Sequence, residues 1–183
     1  MYAAIQKYRD QLGIPLELIA NRNLPVYAEA EHLEVADIGK NGQQYLLTQA
    51  AAHAWQELKA AATTDSVDIF IISAFRSFER QAELIQTRLA IGRPIAEVLT
   101  VLAPPGCSEH HTGRAVDICT PGVPPALEVF EQTEAFSWLS KHANQFGFFL
   151  SFPRDNRYGY LYEPWHWCFH ANPDLIHPAS QVP

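Results

Sequence analysis

The chain has 183 residues, which is the length of a single domain. Hydrophobic residues make up 48% of it and charged residues 18%, which is the composition of a folded globular protein. A formal net charge of −7 argues against a binder of nucleic acid or of an anionic membrane, because either partner requires a basic face. No apolar run reaches the roughly 18 residues that cross a bilayer, so we expect no membrane span.

The cysteines and the N-terminus bear on the cellular compartment. The three cysteines, Cys107, Cys119 and Cys168, do not form a disulfide framework, and they suit a reducing environment. Their spacings fit no zinc finger or ribbon, so we expect buried thiols rather than metal ligands. The N-terminus lacks the basic and apolar regions of a signal peptide. We therefore expect a cytoplasmic protein if the chain is complete, and a periplasmic or envelope protein if a leader was removed.

The first part of the chain is predicted to be mainly helical. Residues Tyr2–Leu12 have the pattern of a short amphipathic helix, and 21–44 read as irregular, turn-rich chain. The segment Tyr45–Ala62 is rich in alanine and leucine, with apolar residues at helical spacing, and predicts a longer helix.

Strands and helices alternate in the rest of the chain. The β-branched run Val67–Ser73 predicts a buried strand, and Ser77 is a plausible N-cap for a helix that continues to about Ala90. A short helix follows and breaks at Pro104-Pro105. Next we predict a strand at 114–118 and a helix from Leu127 to about Gln145, which ends before Gly147. The last predicted elements are strands at 146–152 and 165–169.

This order of elements predicts an α+β fold. We expect one domain over 1–183, with a small, mainly antiparallel sheet flanked by helices and the candidate ligands on the sheet face. The motifs described below lie within about 66–170. Residues 1–65 are then an N-terminal helical and irregular extension that packs on this part and could form a wall of a substrate groove.

The stretch "CSEHHTGRAVDIC" contains potential metal ligands on both sides of a glycine. Gly113 can adopt the positive φ of a tight turn, which would bring His110 and Asp117 to the same point. Val116 and Ile118 would then face the core, by the two-residue period of a strand. If the backbone were extended at His110-His111, only one of these neighbours could point inward.

A second stretch, "YEPWHWCFH", adds a histidine and a carboxylate. Two histidine nitrogens, from His110 and His166, and one carboxylate oxygen, from Asp117, would leave the fourth tetrahedral position of a zinc ion open for water. Such an open position is typical of a catalytic zinc, and Glu163 would be close enough to take a proton from that water. The sequence thus predicts one Zn²⁺ per chain.

These stretches resemble the motifs of a known enzyme family. "SEHHTGRAVD" matches the signature S-x-H-x-x-G-x-A-x-D and "EPWH" matches E-x-W-H, both of the VanY-type zinc D-alanyl-D-alanine carboxypeptidases. "SAFRSFERQ" resembles the family's S-G-Y-R-S-x-x-x-Q element, and all three occur in the family's order between Ser73 and Phe169. The wider group includes LD-carboxypeptidases, VanX-type dipeptidases and phage L-alanyl-D-glutamate endopeptidases.

The resemblance implies a role for each matching residue. His110, Asp117 and His166 become the zinc ligands, Glu163 the general base, and Arg76 the group that stabilises the developing oxyanion. Candidate substrate-binding residues are Ser108, Gln81 and, as a tryptophan beside the site, Trp165. His111 stands where many relatives have glutamine and Phe75 where many have tyrosine, which puts specificity in question rather than activity.

The function implied is removal of the terminal D-alanine from a peptidoglycan stem peptide or muropeptide. Cleavage by an LD-carboxypeptidase or by an L-Ala-D-Glu-type endopeptidase stays open, and so does a catalytically inactive zinc-containing module that binds peptidoglycan. The oligomeric state stays undetermined. We interpret the remaining histidines as surface or packing residues: His32, His53, His142, His170 and His177.

Overall fold

The structure is a computed structural model that describes residues 1–172, so the prediction for His177 lies outside the described residues. The α-helices are α1 (Tyr2–Gln11), α2 (Glu17–Ala20), α3 (Gln49–Thr64), α4 (Phe78–Ala90), α5 (Ile95–Val98) and α6 (Glu134–His142). The strands are β1 (Glu34–Ile38), β2 (Gln44–Leu47), β3 (Phe70–Ser73), β4 (Ala115–Cys119), β5 (Phe148–Leu150) and β6 (His166–Phe169). Short 3₁₀-helices cover Glu109–Thr112, Glu128–Gln132 and Ala143–Phe146.

Two antiparallel sheets organise the molecule. β1 and β2 form a hairpin, and the other four strands form a sheet in the order β3-β4-β6-β5. All pairs in this larger sheet are antiparallel. The prediction of an α+β domain with a small antiparallel sheet flanked by helices is therefore confirmed. None of the described helices is long and apolar enough to cross a bilayer.

The central strand β4 is buried along its whole length. Val116 and Ile118 pack into the main core with Trp55 and Leu58 of α3, which leaves Asp117 on the other face of the sheet. This is the alternation expected from the sequence. Burial on both faces fixes the register of β4, because a slip of one residue would place a carboxylate in the apolar core.

The boundary predicted for the long helix α3 was wrong at its start. Residues Tyr45–Leu47 belong to β2 and pair with β1, and the helix begins only after Thr48, whose backbone is extended. The hairpin was missed because 21–44 was read as irregular, although Asn41-Gly42 between two apolar stretches is a known hairpin signal. Cross-strand pairing here outweighs the helical propensity of Tyr45 and Leu46.

The helix predicted from Leu127 to Gln145 was also wrong, because it is interrupted. Thr133 has an extended backbone, and its hydroxyl accepts a hydrogen bond from the Phe136 N–H at 3.1 Å, so α6 begins anew at Glu134. The corresponding prediction at α4 is confirmed: the Ser77 hydroxyl accepts from the Arg80 N–H at 3.0 Å, and the helix ends at Ala90.

The N-terminal segment packs along the loop that contains the first motif. Three backbone hydrogen bonds join them, from the N–H groups of Tyr27, Ala30 and Thr48 to the carbonyls of Gly106, His111 and Gly113 at 2.7, 2.8 and 2.8 Å, respectively. At Gly106, with φ +86°, a Cβ atom would lie only 2.6 Å from the side chain of Ile5 in α1. The segment therefore supports the motif loop from outside.

Candidate metal centre and active site

Three elements bring the predicted metal ligands together. Asp117 in β4 and His166 in β6 are directly opposite each other in the antiparallel register. His110 lies in the 3₁₀-helix that precedes β4, and Gly113, at φ +62°, reverses the chain between them. One potential ligand atom from each of these three residues lies within 4.8 Å of the other two. All three residues are buried.

The tautomer of His110 suits a cation ligand. Its Nδ1 lies 2.6 Å from the Ala74 carbonyl, which can only accept, so Nδ1 carries the proton. Burial and the nearby Arg76 lower the pKa of His110 to about 4, which leaves the ring neutral and Nε2 with a free electron pair. That buried nitrogen has no hydrogen-bond partner, although Asp117 Oδ2 lies only 3.3 Å away. Nε2 of His110 and Oδ2 of Asp117 thus point lone pairs at each other, and a cation bound between them would accept both.

His166 is held between two carboxylates. Its Nδ1 lies 3.0 Å from Asp117 Oδ1, and its Nε2 lies 3.0 Å from Glu109 Oε2. Burial favours the neutral ring, but the hydrogen bonds to Asp117 and Glu109 outweigh it and raise the pKa to about 10. A metal at Nδ1 would leave Nε2–H to donate to Glu109, which is the carboxylate–histidine–metal arrangement that orients many metal ligands.

Glu109 is the residue at this site that the sequence analysis missed. It occupies a variable position of the motif, and only the fold brings it behind His166 on β6. Burial opposes its charge, yet hydrogen bonds from His166 and the Ser151 side chain lower its pKa below the ordinary value. Glu109 therefore stays a carboxylate and orients the ring of His166.

We expect that replacing Glu109 with glutamine will weaken zinc binding roughly tenfold, and that alanine will weaken it up to roughly 100-fold. Glutamine can still accept from Nε2–H but lacks the charge that makes the imidazole more basic, whereas alanine leaves a buried donor unpaired. The measurement is a zinc titration in competition with a chelator. The exposed Glu57→Gln is the control, and equal affinity in all four proteins would exclude the orienting role.

Glu163 is a buried carboxylate next to the ligand group. Its Oε2 lies 3.9 Å from His166 Nδ1, and the residue lines the same cavity as His110. Burial raises its pKa to about 7, with His166 and Arg76 opposing the shift and Asp117 adding to it. A carboxyl group with a pKa near neutrality can both accept and return a proton under physiological conditions.

This pKa predicts how the metal-free protein responds to pH. Between pH 4.5 and about 7 the folded state holds a proton on Glu163 that the unfolded chain has released, so wild-type stability falls as the pH rises. Glu163→Gln lacks this proton. We expect the variant to be more stable than the wild type above pH 7, by up to about 3 kcal/mol, with the gap closing near pH 4. Chemical denaturation across this range in the presence of a chelator measures it, and a pH-independent gap would contradict the raised pKa.

Arg76 places a positive charge at the cavity. Its Nη1 donates to Gln81 Oε1 at 3.1 Å, its Nη2 lies 3.8 Å from Asp117 Oδ2, and its Nε is buried without a hydrogen-bond partner. The Gln81 amide donates in turn to the Ala103 carbonyl at 2.8 Å, which fixes the orientation of this side chain. Gln81 therefore orients Arg76, and its predicted contact with a substrate stays a prediction.

The two adjacent histidines have different partners. The chain around them is a 3₁₀-helix rather than extended, so both side chains are buried. His111 Nδ1 donates to the Arg76 carbonyl at 2.6 Å, and its Nε2 accepts from the Gly106 N–H at 3.1 Å. His111 thus holds the backbone of Arg76, while His110 faces the ligand group.

One cavity contains most of the predicted site residues. It is lined, among others, by Arg76, Gln81, Ser108, His110, Glu163 and His166. Trp165 does not line it but packs against the main core. No described residue before position 76 contributes to the lining, so the N-terminal extension does not form a wall of this cavity.

The cysteines and the other histidines are not members of the ligand group. Cys107, Cys119 and Cys168 are buried and free, and none belongs to the group of potential ligands found among residues 1–172. His32 and His53 are exposed on the surface. His142 is stacked on Trp138, with 4.9 Å between the ring centroids, and His170 is half-buried.

The chain is similar to known proteins over most of its length. A family model described as VanY, D-alanyl-D-alanine carboxypeptidase, matches residues 44–172, which is more than half of the chain. A D-alanyl-D-alanine carboxypeptidase of Enterococcus faecalis is 29% identical over 162 residues, which are 83% of this chain and 57% of that relative. The chain spans about half the length of the first curated relatives it matches.

Solved structures show the same fold. The LdcB LD-carboxypeptidase superposes with a TM-score of 0.69 at 26% identity, covering 79% of this chain and 71% of that one. VanYB in complex with D-alanine-D-alanine superposes with a TM-score of 0.63 at 29% identity, covering 79% of this chain and 81% of that one.

Proposed function

Because the chain belongs to the VanY family of D-alanyl-D-alanine carboxypeptidases, we propose that it is a zinc-dependent hydrolase that removes the terminal D-alanine from peptidoglycan stem peptides. The observation that carries the proposal is the group of His110, Asp117 and His166, with the carboxylate of Glu163 beside it. A relative solved in complex with Zn(II), 29% identical to this chain, supports the choice of metal.

The three ligands fit zinc better than a harder cation. Two imidazoles and one carboxylate are a common zinc donor set, and calcium or magnesium would favour oxygen ligands throughout. His110 Nε2, His166 Nδ1 and a carboxylate oxygen of Asp117 would hold the ion. When bound, zinc would polarise the scissile carbonyl and lower the pKa of a water molecule in its open position.

Glu163 is proposed to move the proton. Its carboxylate takes a proton from the attacking water and later delivers it to the nitrogen of the leaving D-alanine as the C–N bond breaks. Its Oε2 lies 3.9 Å from His166 Nδ1, close to where that water would be bound, and burial already raises the pKa of Glu163 in the metal-free protein. Its burial also keeps bulk water from competing for the proton.

Arg76 is proposed to stabilise negative charge on the substrate. Gln81 and His111 fix its side chain and its backbone, so the guanidinium is oriented before the substrate arrives. A charge positioned in advance lowers the energy of a developing oxyanion without reorganisation. Ser108 lines the same cavity and is proposed to contact the substrate.

LD-carboxypeptidase activity is the second candidate. The superposition with the LdcB LD-carboxypeptidase is as close as that with the VanY structures, and both activities remove a terminal D-alanine. The two reactions differ in the centre before the scissile bond, which is D-alanine in one and an L-centre in the other.

The test is mass spectrometry of defined muropeptides incubated with protein of known zinc content. Loss of one alanine from a pentapeptide stem alone supports the D-alanyl-D-alanine carboxypeptidase, and loss from a tetrapeptide stem supports the LD-enzyme. Release of an L-alanine–D-glutamate cleavage product would identify an endopeptidase. If one zinc is bound and no peptide changes, the hydrolase proposal fails and a module that binds peptidoglycan takes its place.

A further inference from the structure

We propose that the hydroxyl of Tyr160 binds the terminal carboxylate of the substrate peptide. The inference rests on the proposed function and adds to it a residue that recognises the free chain end. No motif points to Tyr160, which lies three residues before Glu163 on the segment between β5 and β6.

The first observation is a concentration of unpaired polar atoms at one place. Within residues 1–172, four buried side-chain nitrogen or oxygen atoms lack a hydrogen-bond partner: Arg22 Nη2, Arg76 Nε, His110 Nε2 and Tyr160 Oη. Three of these four residues line the site cavity. Folded proteins leave few buried polar groups unpaired, so such a cluster in one cavity marks where a ligand makes its hydrogen bonds. His110 and Arg76 already have proposed partners, and Tyr160 does not.

The second observation is that Tyr160 is held rigidly. The guanidinium of Arg22 lies over its ring, 4.3 Å from the centroid, and Phe152 packs against it with 4.8 Å between the centroids. Asn156 fixes the backbone on both sides, accepting from the Tyr160 N–H at 3.3 Å and donating to its carbonyl at 2.8 Å. Arg22 is itself anchored by the carbonyls of Tyr158 and Leu99, at 2.6 Å each. The hydroxyl is therefore placed before any ligand arrives.

The third observation concerns the position of Tyr160 along the cavity. Phe152 contacts both Tyr160 and His166, at 4.8 Å between centroids in each case, so Tyr160 lies one aromatic ring away from a proposed metal ligand. The carbonyl to be cleaved belongs beside His166 and Glu163. Tyr160 lies beyond Phe152 from this point, where we place the leaving D-alanine. The carboxylate of that D-alanine is the free end of the peptide.

The chemistry of the phenol matches a carboxylate. Burial raises the pKa of Tyr160 far above its ordinary value, so the hydroxyl stays a neutral donor at every physiological pH. The apolar side chains of Val101, Leu102 and Phe152 line the cavity with it and would surround the methyl group of D-alanine. A hydrogen bond to a charged acceptor in such surroundings is stronger than one between neutral groups.

The experiment uses Tyr160→Phe, which removes the hydroxyl and keeps the ring between Arg22 and Phe152. Tyr158→Phe is the matched control, because its hydroxyl contacts Arg157 and the residue does not line the cavity. Binding is measured by calorimetry in a Glu163→Gln background, with an N-acylated D-Ala-D-Ala and with its C-terminal amide. We expect Tyr160→Phe to weaken binding of the free acid roughly 10- to 100-fold, and binding of the amide by much less.

The possible outcomes distinguish a failure of the Tyr160 inference from a failure of the proposed function. If Tyr160→Phe preserves the preference for acid over amide to within about twofold, the inference is overturned, and wild-type turnover decides the proposed function independently. If wild-type protein cleaves no peptide while Glu163→Gln still shows the Tyr160-dependent preference, the proposed function fails and the carboxylate site stands. If neither peptide binds, the inference is overturned, and wild-type turnover again decides the proposed function. Unchanged zinc content and melting temperature in Tyr160→Phe exclude a general structural effect.

Discussion

Replacing Glu163 with glutamine is expected to lower kcat on D-alanine-terminated peptides by roughly 10²- to 10⁴-fold while the protein keeps its zinc. Glutamine has the shape of glutamate but cannot take a proton, so the variant loses proton transfer and little else. Because Glu163 is not among the three proposed ligand residues, zinc content measured by mass spectrometry should stay at about one per chain. Single-turnover kinetics with a defined pentapeptide would measure the loss.

The control for this variant is Glu128→Gln, an exposed glutamate that pairs with Arg154 on the surface. It should change turnover by less than about twofold, because it lies outside the cavity. If Glu163→Gln kept more than about a tenth of the wild-type rate, another group would have to act as the base. Glu109 is the other carboxylate that lines the cavity, but its hydrogen bond to His166 makes it a poor proton acceptor.

Replacing His110 with glutamine is expected to remove zinc and, with it, nearly all turnover. The substitution leaves two of three protein ligands and also removes the Nδ1–H that donates to the Ala74 carbonyl. We expect the zinc content to fall from about one per chain to near zero after dialysis against a weak chelator. The fall in affinity should exceed the roughly 10- to 100-fold loss typical of an outer partner such as Glu109.

The neighbouring His111→Gln is the matched control for this prediction. A glutamine amide can donate to the Arg76 carbonyl and accept from the Gly106 N–H, so both bonds of His111 can be rebuilt. This variant should therefore bind zinc like the wild type. The opposite pattern, with zinc lost from His111→Gln and kept by His110→Gln, would refute the assignment of the ligand.

Much of the site was predictable because its residues are coded by local spacing. The turn at Gly113 and the two-residue period of β4 are enough to direct His110 and Asp117 to one point and Val116 and Ile118 into the core. The cap at Ser77 needs only the residues that follow it. His166, Glu163 and Arg76 were identified by their match to family motifs, and the structure brings them to the same cavity.

Other features depend on contacts between parts of the chain that lie far apart in sequence, and no local pattern encodes them. Glu109 and His166 are 57 residues apart in sequence, and Glu109 can orient His166 only because β6 pairs with β4. The helix α3 begins later than predicted because Tyr45 and Leu46 pair with β1 instead, and no helical periodicity in the sequence predicts this pairing.

The same reason explains why Tyr160 was not singled out from the sequence, and why the N-terminal segment was expected to form a wall of a substrate groove that it does not line. The hydroxyl of Tyr160 is significant only because packing buries it at a cavity, with Arg22 from the distant N-terminal segment across its ring. The sequence by itself therefore determined the residue types, the spacing and the chemistry of the metal group. The tertiary structure alone decided which groups orient those residues and which polar groups are buried at the cavity, because hydrogen bonds and burial are made between distant segments.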